Sequence, residues 1–142
     1  MPGLIEDYGL VGDLQSTGLV SRHGCIDWLC LPRFDSGAVF AALLGTPENG
    51  HWTLQPEGEF RATGRRYRGD TLVLETDFET ESGAARIVDF MPPRETNPDL
   101  VRIVEGVRGR VDMALNTLRA VSYSASAGLI SWPRKAALNS CT

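Results

Sequence analysis

The sequence predicts an all-β protein, an antiparallel β-sandwich with one short helix. Strand-like apolar runs recur at short intervals from residue 51 onward, and pairs containing Gly, Pro, Ser or Asp separate them. Residues 71–80 alternate apolar and acidic side chains, which is typical of a strand with one buried face. Residues 22–24 form a glycine-containing turn of the kind that joins two paired strands.

The first predicted hairpin lies in the glycine-rich N-terminal part. Two short apolar patches, residues 10–13 and 18–21, precede the turn, and residues 25–31 form the returning strand. Gly24 can adopt the positive φ that such a turn needs. Pro32 ends the strand because proline cannot donate a hydrogen bond to a sheet.

The single predicted helix covers residues 38–44. Asp35 and Ser36 precede it as candidate N-cap residues, and Gly45 follows it as a C-terminal stop. Between these residues the apolar side chains are spaced as on a helix.

Six further strands are predicted, at residues 51–55, 60–67, 71–78, 84–90, 100–107 and from 110 onward. In the third of them Leu72, Leu74, Thr76 and Phe78 share one face. Glu75, Asp77 and Glu79 share the other face, and we interpret them as the solvated side of a half-exposed strand.

Length, charge and composition argue against several classes of protein, namely those that bind nucleic acid, span a membrane or are secreted. The 142 residues fit one domain with a real core, and the formal net charge of −4 argues against nucleic acid or an anionic membrane as a partner. No apolar run is long enough to span a bilayer, and the N-terminus lacks a signal-peptide pattern. Three cysteines indicate reduced structural thiols, so we expect a cytoplasmic protein.

The charge pattern changes near residue 113. All 18 acidic residues lie at or before Asp112, and the only lysine, Lys135, lies after it. We therefore divide the chain into an incomplete sandwich domain at residues 1–112 and a divergent tail at residues 113–142. The tail has five serines and weak periodicity, so we expect it to be poorly ordered. A frameshift or a decayed gene end would explain its composition.

Motifs for several kinds of site are absent from the sequence. It has neither a Gly-rich phosphate loop nor a GxSxG nucleophile motif. His23 and His51 lack partners at a metal-ligand spacing, so we expect no metal and no cofactor.

The stretch CIDWLCLPRFDS, residues 25–36, concentrates the candidate site residues. Asp27 and Asp35 are the only local carboxylate pair, but a strand acid and a helix cap explain them better than catalysis. Trp28 and Phe34 could stack on a sugar, and Arg33 could hold Asp35. The candidate substrate- or interface-lining residues are therefore Trp28, Arg33, Phe34 and Asp35, and the alternative is that Trp28 fills the core while Arg33 and Asp35 lock the corner.

The chain resembles the start of glycoside hydrolase family 15 proteins of the trehalase and glucoamylase-like group. The resemblance is carried by residues 5–53, above all HGCIDWLCLPRFDS at 23–36, and by RRYRGDTLVLETDF, ARIVDFMPP and LVRIVEGVRGRVDM further on. Cys25 and Gly37 are mild departures from the family pattern. The segment after residue 113 keeps only hints of it.

The resemblance implies a non-catalytic N-terminal sandwich that precedes a catalytic (α/α)6 barrel. Family members hydrolyse α-glucosidic bonds with inversion, and their two catalytic glutamates lie in the barrel. No position of this chain can inherit either role, so we expect the chain to be inactive alone. The expected partners are the absent barrel and an α-glucoside. A stand-alone carbohydrate- or partner-binding module is the alternative.

Overall fold

The computed structural model describes residues 3–120, which form ten β-strands and three short 3-10 helices. The strands are β1 Tyr8–Gly12, β2 Thr17–Ser21, β3 Cys25–Cys30, β4 Ala38–Phe40, β5 His51–Pro56, β6 Arg61–Tyr67, β7 Leu74–Glu79, β8 Gly83–Phe90, β9 Val101–Gly109 and β10 Met113–Leu118. The 3-10 helices are Ile5–Asp7, Ala42–Leu44 and Pro47–Asn49.

The strands form two antiparallel sheets, which confirms the predicted all-β class. One sheet has the order β1-β2-β3-β5-β10, with β4 also paired to β3. The other has the order β6-β7-β8-β9. Buried side chains from both sheets form the core, with one cluster around Phe40 and Trp52 and a second around Leu54 and Phe78. Burial of these large apolar groups is the main favourable term for such a fold.

The predicted first hairpin is confirmed. β2 and β3 pair around the turn at residues 22–24, and Gly24 has a φ of 81°. A side chain at Gly24 would collide with the carbonyl oxygen of Leu54 on β5. Glycine is therefore required twice here, for its φ and for the close approach of a neighbouring strand.

The predicted helix at residues 38–44 is wrong. Ala38–Phe40 form β4, and only Ala42–Leu44 make a single 3-10 turn. A helix of two turns has little stability of its own, because nucleation is unfavourable. Pairing with β3 instead buries Val39 and Phe40 almost completely, and Phe40 packs on Trp52 with ring centroids 6.4 Å apart. Ser36 caps no helix; its hydroxyl accepts a hydrogen bond from the Arg33 N–H at 3.1 Å.

The alternation predicted for residues 71–80 holds within β7. Leu74, Thr76 and Phe78 are buried in the core. Leu72 lies before the strand and is 40% exposed. The opposite face is less solvated than predicted, because arginines cover it and leave Glu75 only 5% exposed.

The expectation of a poorly ordered tail from residue 113 is wrong for its first six residues. Met113–Leu118 form β10, which pairs with β5 along its whole length. Pairing with a neighbouring strand uses backbone groups, so the absence of acidic side chains does not prevent it. Residues 121–142 of that segment lie outside the described residues, so the expectation is not tested there.

Candidate functional site

The stretch CIDWLCLPRFDS divides into two parts with different surroundings. Residues 25–30 are the central strand β3, and residues 31–37 form a loop at one end of the sandwich. The Leu31–Pro32 peptide bond is cis. The loop lies against the turn between β1 and β2, because the N–H of Phe34 donates to the carbonyl of Gln15 at 3.0 Å.

A buried ion pair holds this end of the sandwich together. Asp13 Oδ2 accepts a hydrogen bond from Arg94 Nε at 2.6 Å, and both side chains are almost fully buried. The other Asp13 oxygen accepts the N–H groups of Gln15 and Ser16 at 3.0 and 2.8 Å. Arg94 also donates to the Pro32 carbonyl, so it ties the segment after β8 to both loops. Burial opposes ionisation of Asp13, but Arg94 and the two backbone donors outweigh it and lower its pKa.

This network presents Leu14 to solvent in a strained conformation. Leu14 has a φ of 72° and is 90% exposed. A left-handed conformation is unfavourable for a branched side chain by about 1–2 kcal/mol, so the surrounding bonds must hold it. Phe34, 59% exposed, lies on the adjacent loop.

The structure places the four predicted site residues on two adjacent elements. Arg33, Phe34 and Asp35 lie together on the exposed loop, whereas Trp28 is half-buried on β3. Arg33 Nε and Asp35 Oδ1 are 3.3 Å apart, but their side chains are 70% and 80% exposed. The interpretation that this pair locks the corner is therefore wrong, since the corner is held by Asp13 and Arg94. The role of the four residues in lining a substrate or an interface stays a prediction.

Asp27 lies in a separate cluster on β3. Its two oxygens accept hydrogen bonds from Tyr8 Oη at 2.6 Å and from Cys25 Sγ at 2.8 Å. Thr53 Oγ1 donates to the same sulfur at 3.2 Å. Burial and the neighbouring Asp27 raise the pKa of Cys25 to about 12 and also raise the pKa of Tyr8. Both groups therefore stay protonated at neutral pH, and Cys25 is not an activated nucleophile.

The outer face of the β6–β9 sheet carries a chain of ion pairs. Glu75 lies between Arg66 and Arg68 at 2.8 and 2.5 Å, and Asp77 lies between Arg66 and Arg86 at 2.8 and 2.7 Å. Hydrogen bonds from Arg68 lower the pKa of Glu75. Burial opposes ionisation of Asp77, but Arg86 and Arg66 outweigh it and lower its pKa. These carboxylates are thus held in the charged form.

Residues 3–120 contain neither a cluster of metal-ligating side chains nor a helix suited to a membrane. No group of three or more His, Cys, Asp or Glu side chains lies close enough to hold a metal ion. No helix among these residues is long and apolar enough to cross a membrane.

Sequence reasoning missed the charged residues that join the elements. Arg94 is 81 positions from Asp13, and Arg102 pairs with Asp89 on a neighbouring strand while also reaching the other sheet. A local sequence signal exists only for the turn at Asp13. An Asp placed two residues before Gln15 and three before Ser16 is typical of a turn whose backbone N–H groups bond to the Asp side chain.

Comparison with known proteins decides the family. The model of the family described as "Trehalase-like, N-terminal" matches residues 2–116. The chain belongs to this family. The trehalase-like N-terminal match thus includes β1 to β9 and the first part of β10.

Characterised relatives of this trehalase-like domain are much longer than the chain. It is 40% identical to a trehalase from Mycobacterium tuberculosis and 35% identical to one from Mycolicibacterium smegmatis, over 138 aligned positions in each case. It is 30% identical to a trehalase from Thermoplasma volcanium. In each comparison 84% of this chain is covered but only 20% of the relative, so the chain spans about a fifth of the length of these relatives. No solved structure matches the chain.

Proposed function

We propose that this chain is the non-catalytic N-terminal domain of a trehalase-like α-glucoside hydrolase, and that it hydrolyses no α-glucoside by itself. Support comes first from the family match over residues 2–116, together with the much greater length of the trehalases that it resembles. In such a protein the chemistry would belong to the four fifths of the related trehalases that this chain does not cover, for which the resemblance implies an (α/α)6 barrel with two catalytic glutamates.

The protonation of the carboxyl groups is the main structural support for this proposal. A glycosidase of this kind needs one carboxyl group that stays protonated, which requires a raised pKa, and a second that stays charged across the sugar. Asp13, Glu75 and Asp77 all have a lowered pKa because arginines contact them. Both side-chain oxygens of Asp27 already accept hydrogen bonds, one from Tyr8 and one from Cys25. Asp13, Glu75 and Asp77 therefore lack the raised pKa that a general acid needs.

The direct test is hydrolysis by the purified chain. Glucose release from trehalose and from maltose should equal that of buffer, while a full-length trehalase in the same assay releases glucose. Asp27→Asn and Asp35→Asn serve as matched variants. Glucose release that disappears in either variant would contradict the proposal.

A carbohydrate-binding module is the second candidate, and the exposed Phe34 favours it. An aromatic ring beside the charged groups of Arg33 and Asp35 suits the face of a sugar. NMR titration with trehalose would decide between the two. Saturable shifts of the loop amides at residues 31–37 that are lost in Phe34→Ala, but kept in Leu44→Ala, would favour the module. The absence of shifts at millimolar sugar would favour the domain.

The proposal also includes a cytoplasmic location. Cys25 and Cys30, the two cysteines within residues 3–120, are both free thiols, which suits a reducing compartment. Thiol labelling of the protein in intact cells and in cell lysates would test this location.

A further inference from the structure

The only Asn–Gly pair of the sequence lies at residues 49 and 50, where the 3-10 helix Pro47–Asn49 ends. Asparagine is chemically labile, because the backbone nitrogen of the next residue can attack its side-chain amide carbon. A glycine leaves that nitrogen unhindered, since it has no Cβ. Asn49 is exposed to solvent, whereas Gly50 is buried. The pair therefore combines a reactive, water-accessible amide with a backbone position that the fold encloses.

The 3-10 turn holds the attacking nitrogen in place. The N–H of Gly50 donates to the carbonyl oxygen of Pro47 at 3.1 Å. His51 Nδ1 lies 2.8 Å from the same oxygen and must be the donor, because a carbonyl only accepts. Ring closure between Asn49 and Gly50 needs this N–H to lose its proton and the Asn49 backbone to leave the ψ of a helical turn. The folded geometry therefore opposes the attack.

Gly50 also lies at a junction with no room for a longer backbone. Its φ is 102°, and a Cβ added to it would lie 2.6 Å from the Ala120 nitrogen and 3.0 Å from the Val39 carbonyl oxygen. Its own carbonyl accepts the N–H groups of Ala41 and Ala42 at 3.1 and 3.0 Å. Gly50 is thus fixed between β4, the 3-10 helix that follows β4, and the chain just after β10.

We propose that Asn49 is a deamidation site that the fold protects, and that the isoaspartate formed there loosens the junction around Gly50. The Gly50 nitrogen loses its proton to water and bonds to Asn49 Cγ. The bond from Cγ to Nδ2 breaks, and the nitrogen leaves as ammonia. Water then opens the resulting succinimide ring, so the whole conversion consumes water and needs no oxidant or reductant. The reaction needs no other part of a trehalase, so it is independent of the proposed function.

The two products of ring opening differ in their effect on the fold. Opening at Cγ gives an ordinary aspartate, which adds a charge to an exposed position. Opening at the main-chain carbonyl gives isoaspartate, whose chain runs through Cβ and Cγ and is one carbon longer. The contacts of Gly50 with Val39 and Ala120 leave no space for that carbon. Isoaspartate must therefore displace Gly50 and break its hydrogen bonds to Ala41 and Ala42.

The first test measures deamidation in the folded chain and in the chain unfolded by urea, at the same mildly alkaline pH. Peptide mapping by mass spectrometry gives the rate at each asparagine. In urea Asn49 should react faster than two internal controls: Asn116, which precedes the branched Thr117, and Asn97, which precedes Pro98 and so has no neighbouring N–H. In the folded chain Asn49 should react at least about ten-fold more slowly than in urea, because local opening must come first.

Either of two results would overturn this part of the proposal: an Asn49 rate in urea no greater than that of Asn116, or equal Asn49 rates in the folded and unfolded chains. A matched pair of variants then tests what protects the site. His51→Leu removes one donor to the Pro47 carbonyl and keeps a residue compatible with β5, so it should raise the ratio of the folded to the unfolded rate several-fold. His23→Leu, on the β2–β3 turn, should leave this ratio unchanged, and an unchanged ratio in His51→Leu would contradict the assigned hold.

The second test measures what isoaspartate does to the fold. The chain is aged in urea, refolded, and separated into its isoaspartate and aspartate forms. Freshly prepared Asn49→Asp, treated in the same way, is the matched control, because it carries the same charge on an ordinary backbone. The isoaspartate form should unfold at a lower urea midpoint than this control, and its Ala41 and Ala42 amides should exchange at least about ten-fold faster.

Failure of the isoaspartate form to refold, where Asn49→Asp refolds, would support the proposal as well. Equal midpoints and equal amide exchange in the two forms would overturn the claim that isoaspartate loosens the junction. Asn49→Gln gives the baseline, since its longer side chain closes a larger ring far more slowly. A loss of stability on ageing that Asn49→Gln also shows would assign the damage to another position.

Discussion

Removal of the Asp89 carboxylate should destabilise this domain more than any single loss on its surface. Asp89 lies on β8 and Arg102 on β9, their side chains are each 1% exposed, and Arg102 Nε is 2.7 Å from Asp89 Oδ1. Arg102 also donates to the carbonyls of Trp52 and Gly24, at 2.9 and 2.8 Å, in the other sheet. It therefore links the two layers through the core, and its guanidinium lies 5.3 Å from the centre of the Trp52 ring.

The magnitude follows from the burial of both charges. Asp89→Asn leaves the Arg102 charge uncompensated in the core, which costs about 3–5 kcal/mol. Arg102→Met leaves the Asp89 charge uncompensated in the same way, at a similar cost of about 3–5 kcal/mol. The Gly24 carbonyl keeps a second donor, the Leu54 N–H. The double variant Asp89→Asn with Arg102→Met strands no charge, so its cost should fall short of the sum of the two singles by about 3 kcal/mol or more.

Urea unfolding followed by tryptophan fluorescence measures these free energies, provided that the m-value is unchanged. Arg108→Met is the matched control on the same strand. Arg108 lies 3.7 Å from Glu79 and is 64% exposed, so its loss should cost at most about 1 kcal/mol. An Asp89→Asn variant within 1 kcal/mol of wild type, on the scale of the ~3–5 kcal/mol expected, would refute the reasoning. Strict additivity of the two single substitutions would refute it as well.

Three further predictions concern other charged and reactive groups. Arg33→Ala and Asp35→Ala should each change the unfolding free energy by no more than about 1 kcal/mol, because the pair is exposed. A loss above 2 kcal/mol, well beyond the ~1 kcal/mol of surface pairs, would show instead that this pair locks the corner. At pH 8 the thiolate fraction of Cys25 should be roughly 1000-fold below that of a thiol with the ordinary pKa of 9.0. Iodoacetamide should therefore modify Cys25 only after the protein unfolds. Peptide mapping of folded and unfolded samples at matched times measures this difference. The fold lowers the pKa of Glu75 and of Asp77. Their ion pairs should therefore stabilise the fold fully above the ordinary pKa values of 4.5 and 3.8, and this stabilisation should be lost as the pH falls through the folded values. A urea midpoint that stays constant from pH 6 down to pH 3 would argue against these ion pairs.

The sequence alone was enough to predict the class of fold and the family. Alternation within residues 74–79 and the glycine turn before Cys25 are local signals, because the strand period and the φ of a turn are set by adjacent residues. The dense motif at residues 25–36 carried the resemblance that the match to the trehalase-like N-terminal family then confirmed.

Tertiary structure decided where local signals were weak. Residues 38–44 have the spacing of a helix, yet pairing with β3 buries Val39 and Phe40 better than two helical turns could. Residues 113–118 lack the charge pattern of the preceding chain, yet the exposed edge of β5 accepts them as a strand. In both cases backbone pairing with a distant strand outweighed the local preference.

The residues that hold the candidate site in place were also decided by the tertiary structure. Arg33 and Asp35 are neighbours in sequence and were the obvious pair, but they remain in solvent, where an ion pair contributes little. The pair that holds the loops is Asp13 with Arg94, which are separated by 81 positions and have almost fully buried side chains. Sequence proximity identifies only local pairs such as Arg33 and Asp35. Burial decides which ion pairs are costly to break, and burial depends on how the two sheets come together.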